Sequence, residues 1–194
     1  MLSRARQSGM SLVEILIAIA IVALLLGFAA PSATTWIQNM QLRSAADSIF
    51  NAVQLARTEA IRRNTSVALE LTDQNSTAWH VCLFDATNNA CTSTDVTSRP
   101  GAEAGGNARV GTATTVGDTT YALAIASGAP GLVAFDPLGR PLAAAGSLAR
   151  IDVRNPTLTS GERRLVIVVT PGGSTRMCDP ALNGLSPPNP MGCV

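Results

Sequence analysis

The sequence predicts an α+β fold, a long N-terminal helix packed on a small antiparallel β-sheet. Three observations predict it. Ile15 to Ala30 reads ILIAIAIVALLLGFAA without a charge. Small and apolar residues then recur in steps of three and four from Leu42 to Ala60, as on one face of a helix. Beyond Asn64 the pattern turns to the alternation of strands.

Composition narrows the function classes. A chain of 194 residues suits one ordinary domain plus a tail or a membrane anchor. All 14 basic residues are arginine, set against 13 acids for a net charge of +1. That balance gives no reason to expect a broadly basic nucleic-acid surface. Without lysine there is no P-loop lysine and no Schiff base. The single histidine, His80, leaves little room for a His-rich metal site or an acid–base centre.

Extended back to Met10, the apolar run is interrupted only by Glu14. As a helix, 10–30 would span roughly 30 Å, the hydrocarbon thickness of a bilayer. Arg4 and Arg6 precede it and the next charge is Arg43, so the positive-inside rule keeps the first residues cytoplasmic. A secretory signal peptide has a shorter apolar stretch and a small-residue cleavage site; Pro31 stands here instead. A plain single-pass anchor fits the length but leaves Glu14 unexplained. A carboxylate within a hydrophobic span costs about 2.5–3.5 kcal/mol at its centre and calls for a partner.

The helical pattern continues through 31–63. Leu42, Ala45, Ile49, Ala52, Val53, Ala56 and Ala60, with Ile61 beside the last, form an apolar stripe. Arg43, Asp47, Gln54, Arg57 and Arg62 fall largely on other faces. Gly27 and Pro31 are expected to soften or kink the helix near the membrane exit. Packing of the stripe on its own domain is favoured over a coiled coil with a partner helix.

SVALELT (66–72) and AWHVCLFD (78–85) read as paired strands about a polar turn. The segment 86–120 is rich in Gly, Thr and Asn and has too little apolar content for a core of its own. GLVAFDPLGRPL (131–142), ARIDVRN (149–155) and RRLVIVVT (163–170) follow as strands. A sheet of about four to seven strands is expected against the outer half of the helix. The proline-rich ending from Pro180 predicts no regular structure. Trp79, Phe84 and Phe135 are expected in the core rather than as stacking platforms.

Four cysteines lie in two local pairs, Cys82 with Cys91 and Cys178 with Cys193. In an oxidising compartment an even count points to disulfides, with three connectivities open. Locality favours 82–91 and 178–193, loops that the chain-entropy model credits with about 2.7 and 3.1 kcal/mol. Zinc is the alternative, since His80 and Cys82 are close, but the spacings match no structural zinc pattern; no metal or other cofactor is expected. No catalytic residues are assigned. There is no G-x-S-x-G elbow, and a Cys82/His80 nucleophile pair is opposed by the oxidation expected of Cys82.

Gly9-Met10-Ser11-Leu12-Val13-Glu14, after a short arginine-bearing leader and before an apolar helix, resembles the N-terminal signal of type IV pilins and type II secretion pseudopilins. The resemblance implies a pilin-like fold. It further implies cleavage of leader 1–9 after Gly9 by prepilin peptidase and methylation of the new amine on Met10, where the family usually has phenylalanine. Met10 would be the first mature residue and Glu14 the fifth. The family's fifth-position glutamate pairs with the terminal amine of a neighbouring subunit, which makes Glu14 an assembly residue. A buried carboxylate and ammonium each favour the other once dehydrated. The chain would then comprise leader 1–9, membrane and filament-core helix 10–30, amphipathic helix 31–63, and a β-rich periplasmic domain 64–194 with a disulfide-closed tail. It would sit in the bacterial inner membrane before entering a filament. Its partners would be other pilins or pseudopilins, the peptidase and the inner-membrane assembly platform.

QLRSAADSIFNAVQLARTEAIRRN, the Trp79 strand, the VAFDPLGRP turn, and GGSTRMCDP with the closing Gly-Cys resemble the minor pilins and pseudopilins called GspH, FimT and FimU. For FimU-like members this implies a tip complex that primes pilus assembly, and for GspH-like members the corresponding role in type II secretion. Some FimT-like pilins bind DNA through Gly-Arg-x-Arg. The matching place reads Gly173-Ser174-Thr175-Arg176, so only Arg176 carries over. Arg163, Arg164 and Arg176 are the candidate DNA contacts, with a solvated strand-start role preferred for the first two. Loss of Arg4 and Arg6 would leave 12 arginines against 13 acids, about −1, and no global attraction for DNA.

Overall fold

The computed structural model describes residues 11–73, 76–104, 106–114, 131–143, 147–158, 160–182 and 189–193, though not the side chains of 26–32, 93, 102 and 104. Helix α1 runs from Leu12 to Arg63. The chain divides into two compact units, Met1–Ile37 and Gln38–Val194.

Ser11 stands immediately before α1, its carbonyl accepting the first helical bond from the Ile15 N–H at 3.2 Å. With Glu14 three residues on, the spacing is that of a capping box. The other end closes on Asn64, whose φ of 51° is left-handed. There the Thr65 N–H donates to Ala60 C=O at 3.2 Å and the Asn64 N–H to Ile61 C=O at 3.3 Å. That pair of bonds is the Schellman arrangement, and it satisfies carbonyls the helix would otherwise leave open. Asparagine tolerates the left-handed region better than most residues.

In the second unit the helix stripe forms one wall of the core. Leu42, Ala45, Ala46, Ile49, Ala52, Val53, Ala56 and Ala60 are all buried. The many alanines allow the opposing strands to approach closely. Ile61, expected beside this stripe, is instead 49% exposed, because it lies one position past Ala60 and turns off the buried face.

The opposite walls are two four-stranded sheets rather than a single small one. Sheet A comprises β1 (Val67–Leu71), β2 (Trp79–Asp85), β3 (Ala90–Arg99) and β5 (Leu132–Phe135), in the order β3-β2-β1-β5. Sheet B comprises β4 (Arg109–Ala113), β6 (Arg150–Arg154), β7 (Leu165–Val169) and β8 (Thr175–Cys178), in the order β4-β6-β7-β8. Every pairing is antiparallel. Alternate residues of both sheets meet the helix in one core: Val67, Leu69 and Val81 from sheet A, Ile151, Val153, Ile167 and Val169 from sheet B. The expected core aromatics are buried there or on the far side of sheet A. Trp79 also donates its indole N–H to Ser48 Oγ on the helix at 3.0 Å.

Three of these strands escaped the sequence reading. β3 and β4 fall in the segment judged too polar for a core; they contribute only Val96 and Val110, with Ala108 just before β4, to a core that other elements supply. β8 is short and polar, and its pairing with β7 makes it a strand. In 131–142 only Leu132–Phe135 is extended in a ladder. After it Asp136 Oδ1 accepts from the Leu138 and Arg140 N–H groups, folding the rest into a turn. In the ending, Pro180–Leu182 forms one short 3-10 turn.

Candidate functional site

Glu14 lies in the first turn of α1. Exposed aliphatic side chains surround it on every side of the helix: Leu12, Val13, Ile15, Leu16, Ile17 and Ile19, continuing to Leu25. A helix apolar all round belongs in a membrane or inside a larger protein body, not in water. No ion pair forms on Glu14 among the described residues. Gly9 and Met10 lie outside the described residues, as do the side chains of 26–32. Among the described residues no helix is long and apolar enough to cross a membrane. The expected span, 10–30, is described with side chains only from Ser11 to Leu25, of which the helical part from Leu12 rises about 21 Å.

At the other end of the helix Arg57 joins three segments. Its Nε–H donates to Gly139 C=O at 3.0 Å, in the turn after β5. Gly139 has φ +74°, and a Cβ there would stand 2.8 Å from Ile61 Cδ1. Gly173, in the β7–β8 turn, has φ +80°, and a Cβ there would stand 2.1 Å from Gly139 O. The two turns, one from each sheet, therefore meet through glycines over an arginine. The motifs VAFDPLGRP and GGSTRMCDP were legible in the sequence, but their contact with each other was not. Nearby, Glu59 accepts from Arg62 at 3.0 and 2.6 Å and from Arg63 at 2.6 Å. The Arg62 hydrogen bonds, then that from Arg63, hold its carboxyl down to about 2.

The three arginines singled out from the sequence occupy different settings. Arg163 donates its backbone N–H to Asn39 Oδ1 on the helix at 3.0 Å. Arg164 reaches Asp152 Oδ1 at 3.6 Å. Arg176 is exposed on β8, directly across from Val168, which in turn faces Arg150. Arg150, Asp152 and Arg176 therefore share the outer face of sheet B, since directly paired residues point to the same side. Arg150 is 4% and Asp152 1% exposed, and the Arg150 guanidinium donates to Asp152 Oδ1 at 2.8 Å. Buried charges persist when paired and hydrogen-bonded.

Both local disulfides are present, Cys82–Cys91 and Cys178–Cys193. With its sulfur in that bond, Cys82 offers no nucleophile. Around the first disulfide, sheet A brings more together than the sequence suggested. Glu70 of β1 pairs directly with His80 of β2, and Glu70 Oε2 lies 2.9 Å from His80 Nε2. Cys91 Sγ lies 3.3 Å from the same nitrogen. Register irregularities on either side of Cys82 set Cys91 diagonally against it. Spacing showed His80 and Cys82 to be neighbours; only the β1–β2–β3 pairing adds Glu70 and Cys91.

The family model described as type II transport protein GspH matches residues 45–173. The prokaryotic N-terminal methylation motif matches residues 4–30. No curated protein matches the chain in sequence. Two crystal structures of the type IV minor pilin FimU from Pseudomonas aeruginosa strain PAO1 are similar in fold. One, in space group P21, shows 14% identity and a TM-score of 0.48, covering 82% of this chain and 99% of that one. The other, in space group P65, shows 13% identity and a TM-score of 0.45, covering 78% and 99%.

Proposed function

We infer function from one premise: the chain belongs to the family of the type II transport protein GspH, and so is a type IV minor pilin or pseudopilin. We propose that it is made as a prepilin, cut after Gly9 by prepilin peptidase and methylated on Met10. It is then built by α1 into the tip or initiating complex of a type IV pilus, where it primes filament assembly. Before assembly it is held in the bacterial inner membrane by the 10–30 segment, with the domain beyond in the periplasm.

The observation that carries this reading is Glu14, a lone carboxylate amid exposed aliphatic side chains and without an ion pair among the described residues. Such a group is costly in an apolar medium until a cation reaches it. The freed amine of a neighbouring subunit is a cation of the right kind, and the methylation-motif match over 4–30 supports a processed terminus. Glu14→Ala and Gly9→Val should abolish incorporation, read by immunoblot of sheared filaments with total protein as control. Normal incorporation of either variant would refute the proposal.

A second reading, a minor pseudopilin of type II protein secretion, is favoured by the family's own description. Deleting the gene separates the two readings. Loss of surface pili with intact exoprotein secretion supports the pilus, and the reverse supports secretion. The arginine trio does not enter the proposal: Arg164 is engaged with Asp152, and the exposed Arg163 and Arg176 stand in a chain whose 14 arginines barely exceed its 13 acids.

A further inference from the structure

The outer face of sheet A holds a group of donors that filament assembly does not use. His80 Nε2, Cys82 Sγ and Cys91 Sγ all lie within 4.8 Å of one another. Glu70 Oε2 stands 2.9 Å from the same imidazole nitrogen. A tetrahedral zinc site with bonds of about 2.0–2.3 Å separates its ligand atoms by about 3.3–3.8 Å. The distances from His80 Nε2 to Glu70 Oε2, 2.9 Å, and to Cys91 Sγ, 3.3 Å, are within about 0.5 Å of that spacing. The two sulfurs, bonded to each other in the disulfide, part by about 1.7 Å on reduction to reach it. Ala68, Phe84, Leu132 and Ala134 make a dry apolar floor beside Cys82, while the His80 and Glu70 side chains are 23% and 39% exposed and leave a route in from solvent.

We propose that, when the Cys82–Cys91 bond is reduced, Cys82, Cys91 and His80, closed by Glu70, hold one divalent cation of the zinc class. A dithiol supplies the two electrons and two protons that convert the disulfide to two thiols, and is itself oxidised to its disulfide. The cation then displaces both thiol protons to solvent and takes two thiolates, one neutral imidazole nitrogen and one carboxylate oxygen. Two thiolates and an imidazole select zinc-like ions over calcium or magnesium, which take oxygen ligands. Disulfide and metal are thus alternative ways of tying β2 to β3, and the thiol state decides between them.

The test uses the full chain in detergent micelles with Cys178→Ser and Cys193→Ser, so that one thiol pair remains. Reduced with a phosphine and freed of it, this protein is titrated with Co2+ as a spectroscopic stand-in for zinc. The expected result is one Co2+ per chain, with sulfur-to-cobalt charge transfer and the d–d bands of a tetrahedral ion. Zinc should bleach these bands, and the oxidised chain should show none. His80→Ala should weaken binding at least tenfold, and Glu70→Gln should shift the d–d bands. Absence of the bands in the reduced chain, or binding unchanged in His80→Ala, overturns the proposal. A second measurement covers loss of the fold on reduction. Zinc present before reduction should slow alkylation of Cys82 and Cys91 in the otherwise unmodified chain but not in His80→Ala, and equal rates overturn it.

Discussion

Gly173→Ala tests the joint between the two sheets most directly. Gly173 has φ +80°, and its added Cβ would meet Gly139 O at 2.1 Å, a backbone atom that cannot swing aside. The left-handed conformation alone costs an L-residue about 1–2 kcal/mol. Moving Gly139 also breaks the bond from Arg57 Nε to its carbonyl, 3.0 Å in length, and a bond to a charged group contributes about 1.5–3 kcal/mol. Together the expected loss is about 2.5–5 kcal/mol, or about 5–20 °C in Tm for a domain of this size. Gly172→Ala is the control next door, since a Cβ there has only Thr170 Oγ1 at 4.0 Å; it should stay within about 0.5 kcal/mol of the parent. Thermal unfolding of the full chain in detergent, followed by the fluorescence of buried Trp79, reads both. A harmless Gly173→Ala, or a Gly172→Ala of equal cost, would refute the argument.

Asp152→Ala should cost about 3–5 kcal/mol, because it leaves the buried Arg150 guanidinium without its carboxylate; denaturant unfolding measures it, and Arg163→Ala, at an exposed site, should cost little by comparison. Ile49→Ala opens a cavity where the helix meets both sheets, and its midpoint should fall by an equivalent of about 2–5 kcal/mol. Cys178→Ser with Cys193→Ser should lower unfolding stability by about 3 kcal/mol, as expected for opening a loop of about 15 residues. Glu59 is held from 4.5 down to about 2 in the folded chain, so its contribution is complete above pH 4.5 and is lost as pH falls toward 2; stability measured over that window should fall less steeply in Glu59→Gln.

Local patterns were legible wherever one element's own periodicity carried the information. The burial of Leu42 through Ala60 follows from 3.6-residue geometry, and the two disulfides follow the locality of their cysteines. The polar strands could not be read this way. β3 and β8 are extended because a neighbouring strand satisfies their backbone groups, not because their side chains demand burial. The burial of Arg150 and Asp152 could not be read for a related reason: alternation in ARIDVRN shows which residues avoid the core, but not that the other face is buried as well.

Sequence alone determined the long helix, its apolar first part with Glu14 and the packing stripe of its second part, because each depends on residues within a few turns of one another; it favoured the local cysteine pairs and left three connectivities open. Tertiary structure alone decided three other features. It split the strands into two sheets, set Gly139 against Gly173 over Arg57, and gathered Glu70, His80, Cys82 and Cys91 around one point. The Gly139–Gly173–Arg57 contact joins segments far apart in the chain, the Glu70–Cys91 group joins consecutive strands, and strand register, a cooperative outcome of all the pairings, fixes both.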